Sequence, residues 1–479
     1  MRKFVFFITS VYRPSLVQNL VYMLQQVEYR PGPFVDWLLD RVAQLQPMQQ
    51  VMHRKSLDRT KRAWLLIISG WVTIILWIAI CFGSYLVWDK PYYVLGAVLT
   101  PVILILGLTV FVWLGYVIVA RPDEIRQIAL SKDLLAKHRG AKLAILGSYG
   151  KTTMKEVLCT VLGEGLNVAA TPGNGNTPLA HAKFISSLNG HEDVLIFEIG
   201  EGKPGDILQF ADTIKPDIAI VTGAAPNHLD QYKTVDSLLQ DLSTIRKFVS
   251  ANKLYWASES SLLATILTKE DLVYSQNGGN GWKIEDIKVG PDGLSMSCRT
   301  KLREYNLESG LLGKHQVGPL GLAVILSEKF ELSKEQIEAG IRKTKAFQHR
   351  MQPYLLHGAT IIDDTYNGNL EGILAGLELL AELKATRKIY VTPGLVDQGI
   401  ESDNVHRQIA RKIAQIKPTK LILMKNSSTI IILNELKKLG YKGDLFVETQ
   451  PLEFYKNLDQ FVCAGDVVLM QNDWTDNYR

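Results

Sequence analysis

Apolar and polar positions follow three different rhythms along this chain. From Ala63 to Trp88, and again from Pro91 to Ala120, there is no Asp, Glu, Lys or Arg. Only Asp89 and Lys90 separate these runs of 26 and 30 residues. A helix rises about 1.5 Å per residue, so about 20 apolar residues cross a hydrocarbon core about 30 Å thick. Each run is long enough, and their close spacing predicts a transmembrane helical hairpin over 63–120. Trp64, Trp88, Tyr92 and Tyr93 stand near the ends, where amphipathic rings favour the membrane interface. Arg54, Lys55, Arg59, Lys61 and Arg62 precede the hairpin, and Arg121, Arg126 and Lys132 follow it. Both flanks are therefore expected at the cytoplasmic side of the membrane. Residues 1–62 carry short apolar stretches (Phe4–Ile8, Leu20–Leu24, Phe34–Leu39) broken by Arg13-Pro14 and Arg30-Pro31-Gly32-Pro33. They read as amphipathic helices lying on the membrane or against the hairpin.

After a charged linker over 121–140 the rhythm becomes short apolar strands alternating with helices, the pattern of an α/β body. Two parts are expected, 141–345 and 346–479. Strands are predicted at Lys142–Leu146, Val194–Ile199 and Ile218–Thr222, and farther on at Ala359–Asp363, Lys388–Thr392, Lys420–Met424 and Asp466–Met470. The stretch Leu254–Leu312 is richer in strand and turn signals, and its Trp256 and Trp282 are expected in the core.

Composition sharpens this division. Of 479 residues, 21% are charged, with 53 Lys and Arg against 48 Asp and Glu, a formal +5. All 101 charges fall outside the two apolar runs, so the other 423 residues are about 24% charged, as in an ordinary soluble protein. The positive balance is too mild to point to nucleic acid. A hydrophobic share of 47% excludes intrinsic disorder, and four Cys exclude a disulfide framework.

The candidate chemistry begins after the first predicted strand. Gly147-Ser148-Tyr149-Gly150-Lys151-Thr152-Thr153 leads into a helix expected over Met154–Leu162. Glycines let backbone N–H groups approach phosphate oxygens, and a helix N-terminus adds partial positive charge. Lys151 can neutralise terminal phosphates and the Thr152 hydroxyl can ligate Mg²⁺. The full phosphate-loop spacing asks for glycine at 145, where this chain has Ile145, so the loop is a shortened variant; a plain strand–helix turn with an exposed lysine is the other reading. Val194–Ile199 carries Glu198, and Ile218–Thr222 leads to Pro226-Asn227-His228-Leu229-Asp230. Alone, Glu198 reads as a helix cap and His228 as a turn residue. At the carboxyl ends of strands in an open α/β sheet, where ligands collect, they read together as one metal–nucleotide site.

These segments, with PGNGN (Pro172–Asn176), FEIGE (Phe197–Glu201), NHLDQY (Asn227–Tyr232), GKHQ (Gly313–Gln316), HRM (His349–Met351) and DDTYNGN (Asp363–Asn369), occur in the order and approximate spacing of the Mur ligase family. The chain resembles that family over roughly 141–479, and DDTYNGN looks like the DDSYNAN signature of its D-alanyl-D-alanine-adding branch. The resemblance implies an α/β fold with a central P-loop Mur-ligase ATPase domain and a C-terminal Rossmann-like α/β domain, here behind the transmembrane hairpin. It implies ATP and Mg²⁺ as cofactors, and amide formation through an acyl phosphate. By the same resemblance, the loop residues Gly147, Ser148, Gly150, Lys151, Thr152 and Thr153 bind nucleotide. Thr152 and Glu198 serve one Mg²⁺, and His228 a second. Asn174 or Asn176 would sit near the phosphates, His315 and Gln316 near the base, and His349, Arg350 and Asp364 near the nucleotide. Tyr366, Asn367 and Asn369 would lie where the amine docks.

The chain departs from the family at three places. The lysine that usually follows the metal-binding histidine by fourteen residues is replaced by Leu242, beside Asp241. The family's adenine contact HNxxN becomes His315-Gln316 with Pro319 at its second asparagine, and YNGNL stands for YNANP. The usual UDP-gripping N-terminal domain gives way to apolar helices. The expected partners are ATP, a peptidoglycan precursor peptide, D-Ala-D-Ala or another amine, the membrane and neighbouring cell-wall enzymes. Two alternatives stand beside this reading: the same chemistry on a different amine or a lipid-linked acceptor, and a nucleotide-binding pseudo-ligase that scaffolds wall-synthesis enzymes.

Overall fold

In the computed structural model the chain divides into two compact units, residues 1–127 and 128–474. The structure describes residues 2–27, 29–48, 57–88, 90, 92–173, 175–226, 229–366, 368–395, 398 and 401–472. Arg54, Lys55 and Asp89 lie outside the described residues.

The first unit is helical. Three helices, Arg2–Val11, Leu16–Gln26 and Pro31–Ala43, follow the apolar stretches of the N-terminal segment. Two helices are long and apolar enough to cross a membrane, Lys61–Trp88 and a composite helix over Gly96–Lys137. They pack closely where Gly70 admits Leu104 and Leu108, with Val17 beside them. The Trp77 indole donates to Gly96 O at 3.0 Å. Most of the remaining apolar surface of these helices, including Trp71, Ile75, Leu106 and Trp113, is exposed. The stretch expected as a linker holds the helix Arg121–Lys137, with Asp123 and Glu124 in its first turn and Lys137 in its last, where they complement the helix dipole.

The second unit is built on two sheets. The larger has ten strands: β1 Ala141–Leu146, β2 Val168–Ala170, β3 Val194–Glu198, β4 Ile218–Val221, β5 Leu254–Ala257, β6 Leu272–Ser275, β7 Gly278–Gly279, β8 Trp282–Gly290, β9 Gly293–Arg299 and β10 Glu304–Ser309. Their order is β10-β9-β8-β7-β6-β5-β4-β1-β3-β2. From β2 to β6 the pairings are parallel, and β7 to β10 continue the same sheet as antiparallel hairpins. The strand-rich middle stretch thus extends the main sheet. Its strands alternate inward and outward, as in β10, whereas β1, β3 and β4 are apolar throughout because helices cover both their faces. Trp256 and Trp282 are in the core, as their context predicts, with the Arg246 guanidinium over Trp256 at 4.4 Å.

The smaller sheet holds β11 Gln352–Leu356, β12 Ala359–Asp364, β13 Lys388–Thr392, β14 Lys420–Met424, β15 Asp444–Glu448 and β16 Val467–Gln471. Its order is β11-β12-β16-β13-β14-β15, parallel except for β11. The two edge strands, β11 and β15, escape a hydrophobicity-based reading because both are half exposed and mixed in character. Register fixes the functional geometry. β1 lies between β3 and β4, with Ile145 opposite Glu198 and Leu146 opposite Val221. The loop that leaves β1 therefore emerges beside the carboxyl ends of both neighbours.

Candidate active site

The phosphate-loop candidate forms a tight turn between β1 and the helix Lys151–Leu162, which begins three residues earlier than periodicity suggests. Apolar spacing registers only from Met154, while the loop glycine at the N-cap lets the first turn form without an apolar residue. Gly147 has φ +130°, and a Cβ there would meet Gly223 O at 2.6 Å, so only glycine lets the two backbones approach. Ser148 N–H donates to Gly223 O at 2.7 Å, and its hydroxyl to Ala225 O at 3.3 Å. These bonds anchor the loop to the segment after β4.

Charges on this side are buried and mutually bonded. Lys151 Nζ donates to Glu201 Oε2 at 2.8 Å and to Gly147 O. The Thr152 hydroxyl donates to Glu198 Oε1 at 3.1 Å. Glu198 is buried, its Oε2 has no hydrogen-bond partner among the described residues, and Lys155 Nζ stands 3.2 Å from it. A hydroxyl and a carboxylate with a spare lone pair are hard oxygen donors suited to Mg²⁺, which usually takes few protein ligands and completes its shell with phosphate oxygens and water. Among the described residues no three His, Cys, Asp or Glu side chains gather into a metal cage. Asn176 O accepts from Gly200 N–H at 3.2 Å, close behind Glu198. Asn174, Asn227 and His228 lie outside the described residues.

Leu242 is fully buried in the main core and turned away from any polar site. Its neighbour Asp241 is committed elsewhere. Asp241 accepts from the Tyr232 hydroxyl at 2.8 Å and from Gly205 N–H at 3.0 Å, which caps the helix Asp206–Ile214. Burial raises the Asp241 carboxyl pKa above its ordinary value, despite those donors.

Beside the loop lies a cavity of about 640 Å³ between the two sheets of the second unit. Its large-sheet wall includes Tyr149, Gly150, Thr153, Thr222, Tyr274, His315, Gln316 and Pro319. The opposite wall includes Arg350, Asp364, Tyr366, Asn369 and Glu371. Among the described site residues, the fold thus gathers eight predicted positions, Gly150, Thr153, His315, Gln316, Arg350, Asp364, Tyr366 and Asn369, around one space. Burial pushes the His315 imidazole down to about 4, so it is neutral at physiological pH. Its Nε2 lies 2.8 Å from Gln316 Nε2, and its buried Nδ1 has no partner among the described residues. Burial also pushes Asp364 up to about 6, against hydrogen bonds from Gln471 Nε2 at 2.9 Å and Met351 N–H at 3.2 Å and the nearby Arg350 charge.

His349 does not line this cavity. Its backbone is left-handed at φ +60°, and its Nδ1 pairs with Asp363 Oδ2 at 2.7 Å on an exposed turn. Tyr366 N–H donates to His349 O, and the Arg350 guanidinium sits over the Tyr366 ring at 4.7 Å. Asn369 Oδ1 accepts from Gly372 N–H at 2.8 Å, so this side chain is the N-cap of the helix Leu370–Glu382. Asn367 lies outside the described residues. At Gly368 a Cβ would fall 1.4 Å from Asn472 Oδ1, which accounts for glycine where alanine is the commoner family choice.

Four residues of the site escaped the sequence reading. Glu201 pairs with Lys151, although it stands within the quoted FEIGE segment. Lys155 lies one helical turn beyond Lys151, and that spacing was the available signal. Tyr149 fills the space over Gly223 and bonds Ser260, with burial raising its hydroxyl to about 12. Glu371, whose Oε2 is buried without a partner among the described residues, faces the cavity from the helix first turn.

Comparison with known proteins agrees with this geometry. Residues 145–326 match the Mur ligase middle domain. The UDP-N-acetylmuramoyl-tripeptide–D-alanyl-D-alanine ligase of Treponema pallidum is 26% identical over 271 residues, 56% of this chain and 58% of that protein. The Escherichia coli ligase of the same name is 24% identical over 277 residues, 56% of this chain and 60% of its own length. This chain therefore spans less than two thirds of the length of these two curated relatives. The crystal structure of MurF ligase from Thermotoga maritima in complex with ADP superposes with a TM-score of 0.64 at 20% identity, covering 74% of this chain and 81% of that one. Residues 145–326 thus match the Mur ligase middle domain, and the body that holds them has the fold of the MurF structure it superposes on.

Proposed function

We propose that this chain is an ATP-dependent ligase that adds D-alanyl-D-alanine to a muramoyl-tripeptide. The observation that carries this reading is the shared placement of Lys151, Thr152 and Glu198 at the ends of β1 and β3, beside the cavity lined by Arg350 and Asp364. In the reaction a substrate carboxylate oxygen attacks the γ-phosphorus of ATP and ADP leaves. The amine nitrogen then attacks the acyl carbon, loses a proton, and inorganic phosphate departs with its bridging oxygen. Such transfers are catalysed chiefly by positioning and electrostatic stabilisation.

Lys151 exchanges Glu201 for the terminal phosphates and balances charge as it moves to the acyl group. Backbone N–H groups at the start of the Lys151–Leu162 helix hold phosphate oxygens. Thr152 and Glu198 would hold a Mg²⁺, which supplies Lewis-acid stabilisation of the transferring phosphoryl group. Neutral His315 and Gln316 offer hydrogen bonds to the base, Asp364 to a hydroxyl, and Tyr366 with Arg350 flanks the amine. The buried Leu242 leaves no polar side chain at that position to hold a second metal.

The chain's two apolar helices support attachment to the cytoplasmic membrane, with the ligase body on the cytoplasmic side near lipid-linked intermediates. The test of function is phosphate release and product formation by detergent-purified full-length protein given ATP, Mg²⁺, muramoyl-tripeptide and D-Ala-D-Ala. Coupled release with this amine, lost in Lys151→Ala, is expected; release coupled only to another amine would overturn the substrate assignment. Retention of the full-length protein in membranes washed with alkaline carbonate tests the attachment.

A further inference from the structure

The helix that starts with Lys151 carries a second lysine, and nothing in the proposed reaction uses it. The Lys155 side chain is fully buried. A buried ammonium is costly unless it is paired and fully hydrogen-bonded, so its surroundings must hold it for a reason. Nζ donates to Thr171 O at 2.9 Å and to Gly173 O, and it lies 3.2 Å from Glu198 Oε2. The exposed rim of this group is Glu156, 3.6 Å away.

The contacts around Glu198 form a closed set. Its Oε1 accepts from Thr152, its Oε2 faces Lys155, its N–H donates to Thr171 Oγ1 at 3.1 Å, and its carbonyl is 2.8 Å from His181 Nε2. Lys155 is then the cation that balances Glu198 within this buried cluster. It also ties the carboxylate to the carbonyls of Thr171 and Gly173, the segment that leads into Asn176. One end of the carboxylate is fixed on a cation that cannot leave, and the other is turned to the Thr152 hydroxyl. Groups that orient a metal ligand in this way commonly tune metal affinity as much as the ligand does.

We propose that Lys155 is a positioning residue for the divalent cation: it locks Glu198 with one oxygen toward Thr152, and so couples Mg²⁺ to nucleotide binding without touching either. This rests on the Mg²⁺–nucleotide reading of the site. The test measures ADP affinity of the detergent-purified full chain by calorimetry, in EDTA and then in Mg²⁺. The native protein is expected to bind ADP more tightly with Mg²⁺. Lys155→Met is expected to keep its affinity in EDTA within about threefold but to lose about tenfold or more of the gain from Mg²⁺. In a Glu198→Gln background the same substitution is expected to change that gain no further, because the two residues act as one unit. Lys155→Gln, which keeps a donor for the Thr171 carbonyl, serves if the methionine variant does not fold. A folded variant with the Mg²⁺ gain intact overturns the proposal, as does failure of both variants to fold, which would make Lys155 purely structural. Absence of ADP binding by the native chain would instead overturn the nucleotide reading beneath it.

Discussion

The two walls of the candidate site are built differently. On the large-sheet side, Lys151, Thr152, Lys155, Glu198 and Glu201 are buried to differing degrees and already bonded to one another. On the small-sheet side, Arg350 and Tyr366 lie at a half-open rim, and His349 is 48% exposed and paired outward with Asp363. Under the proposed function, one wall is therefore a preset electrostatic frame for phosphate. The other is a more open rim, where burial raises the pKa values of the Asp364 and Glu371 carboxyls. Rigid placement matters most where charge develops during reaction.

Four substitutions test this contrast. The largest effect is expected for Lys151→Ala, which removes a charge of the preset wall; turnover should fall by about 10³-fold, and buried Glu201, left without its partner, should lower stability by about 3 kcal/mol. Loss of stability with turnover preserved would break the contrast. Leu242→Lys should destabilise the chain by about 3 kcal/mol or more in denaturant titration, because it buries a charge in a closed apolar core. A stable variant with a new Mg²⁺ requirement would show that the frame tolerates a second metal site there.

Asp364→Asn tests the rim. The Asp364 pKa is raised in the folded state to about 6 from 3.8, so the native state binds its proton more tightly than the unfolded chain does. Its contribution to stability is thus full below about pH 4 and is lost as pH rises through about 6, amounting to about 3 kcal/mol. The asparagine variant should melt higher than the native protein at pH 7 to 8, by an amount that vanishes near pH 4, while binding nucleotide more weakly. A melting difference independent of pH would place the cost elsewhere. The smallest effect belongs to Asn369→Ala, which should cost about 1 kcal/mol as a lost helix N-cap. If activity fell far more than stability, Asn369 would be a substrate contact as well as a cap.

Much of this was legible in the sequence, for identifiable reasons. The P-loop strand and helix, the strand bearing Glu198 and the second α/β part all follow from apolar runs punctuated by glycine. The helical form of residues 121–137 was not legible, because frequent charges there mask the apolar spacing of a helix. The place of the hairpins β7 to β10 at the end of the large sheet was not legible, because sequence periodicity does not reveal which strand edge a hairpin joins. His349 was grouped with Arg350 by adjacency, yet a left-handed turn points the two side chains to different neighbours.

The order of strands, loops and charged residues, and with it the kind of chemistry, is written in the sequence because hydrophobic period and glycine position act locally. Only the tertiary structure decided which charges meet. Register put Glu198 beside the loop, and packing turned Leu242 into the core and Asp241 toward a helix end. The same packing enclosed Lys155 against Glu198, because electrostatic partners are chosen by distance in space, and that is set when the sheet closes around its helices.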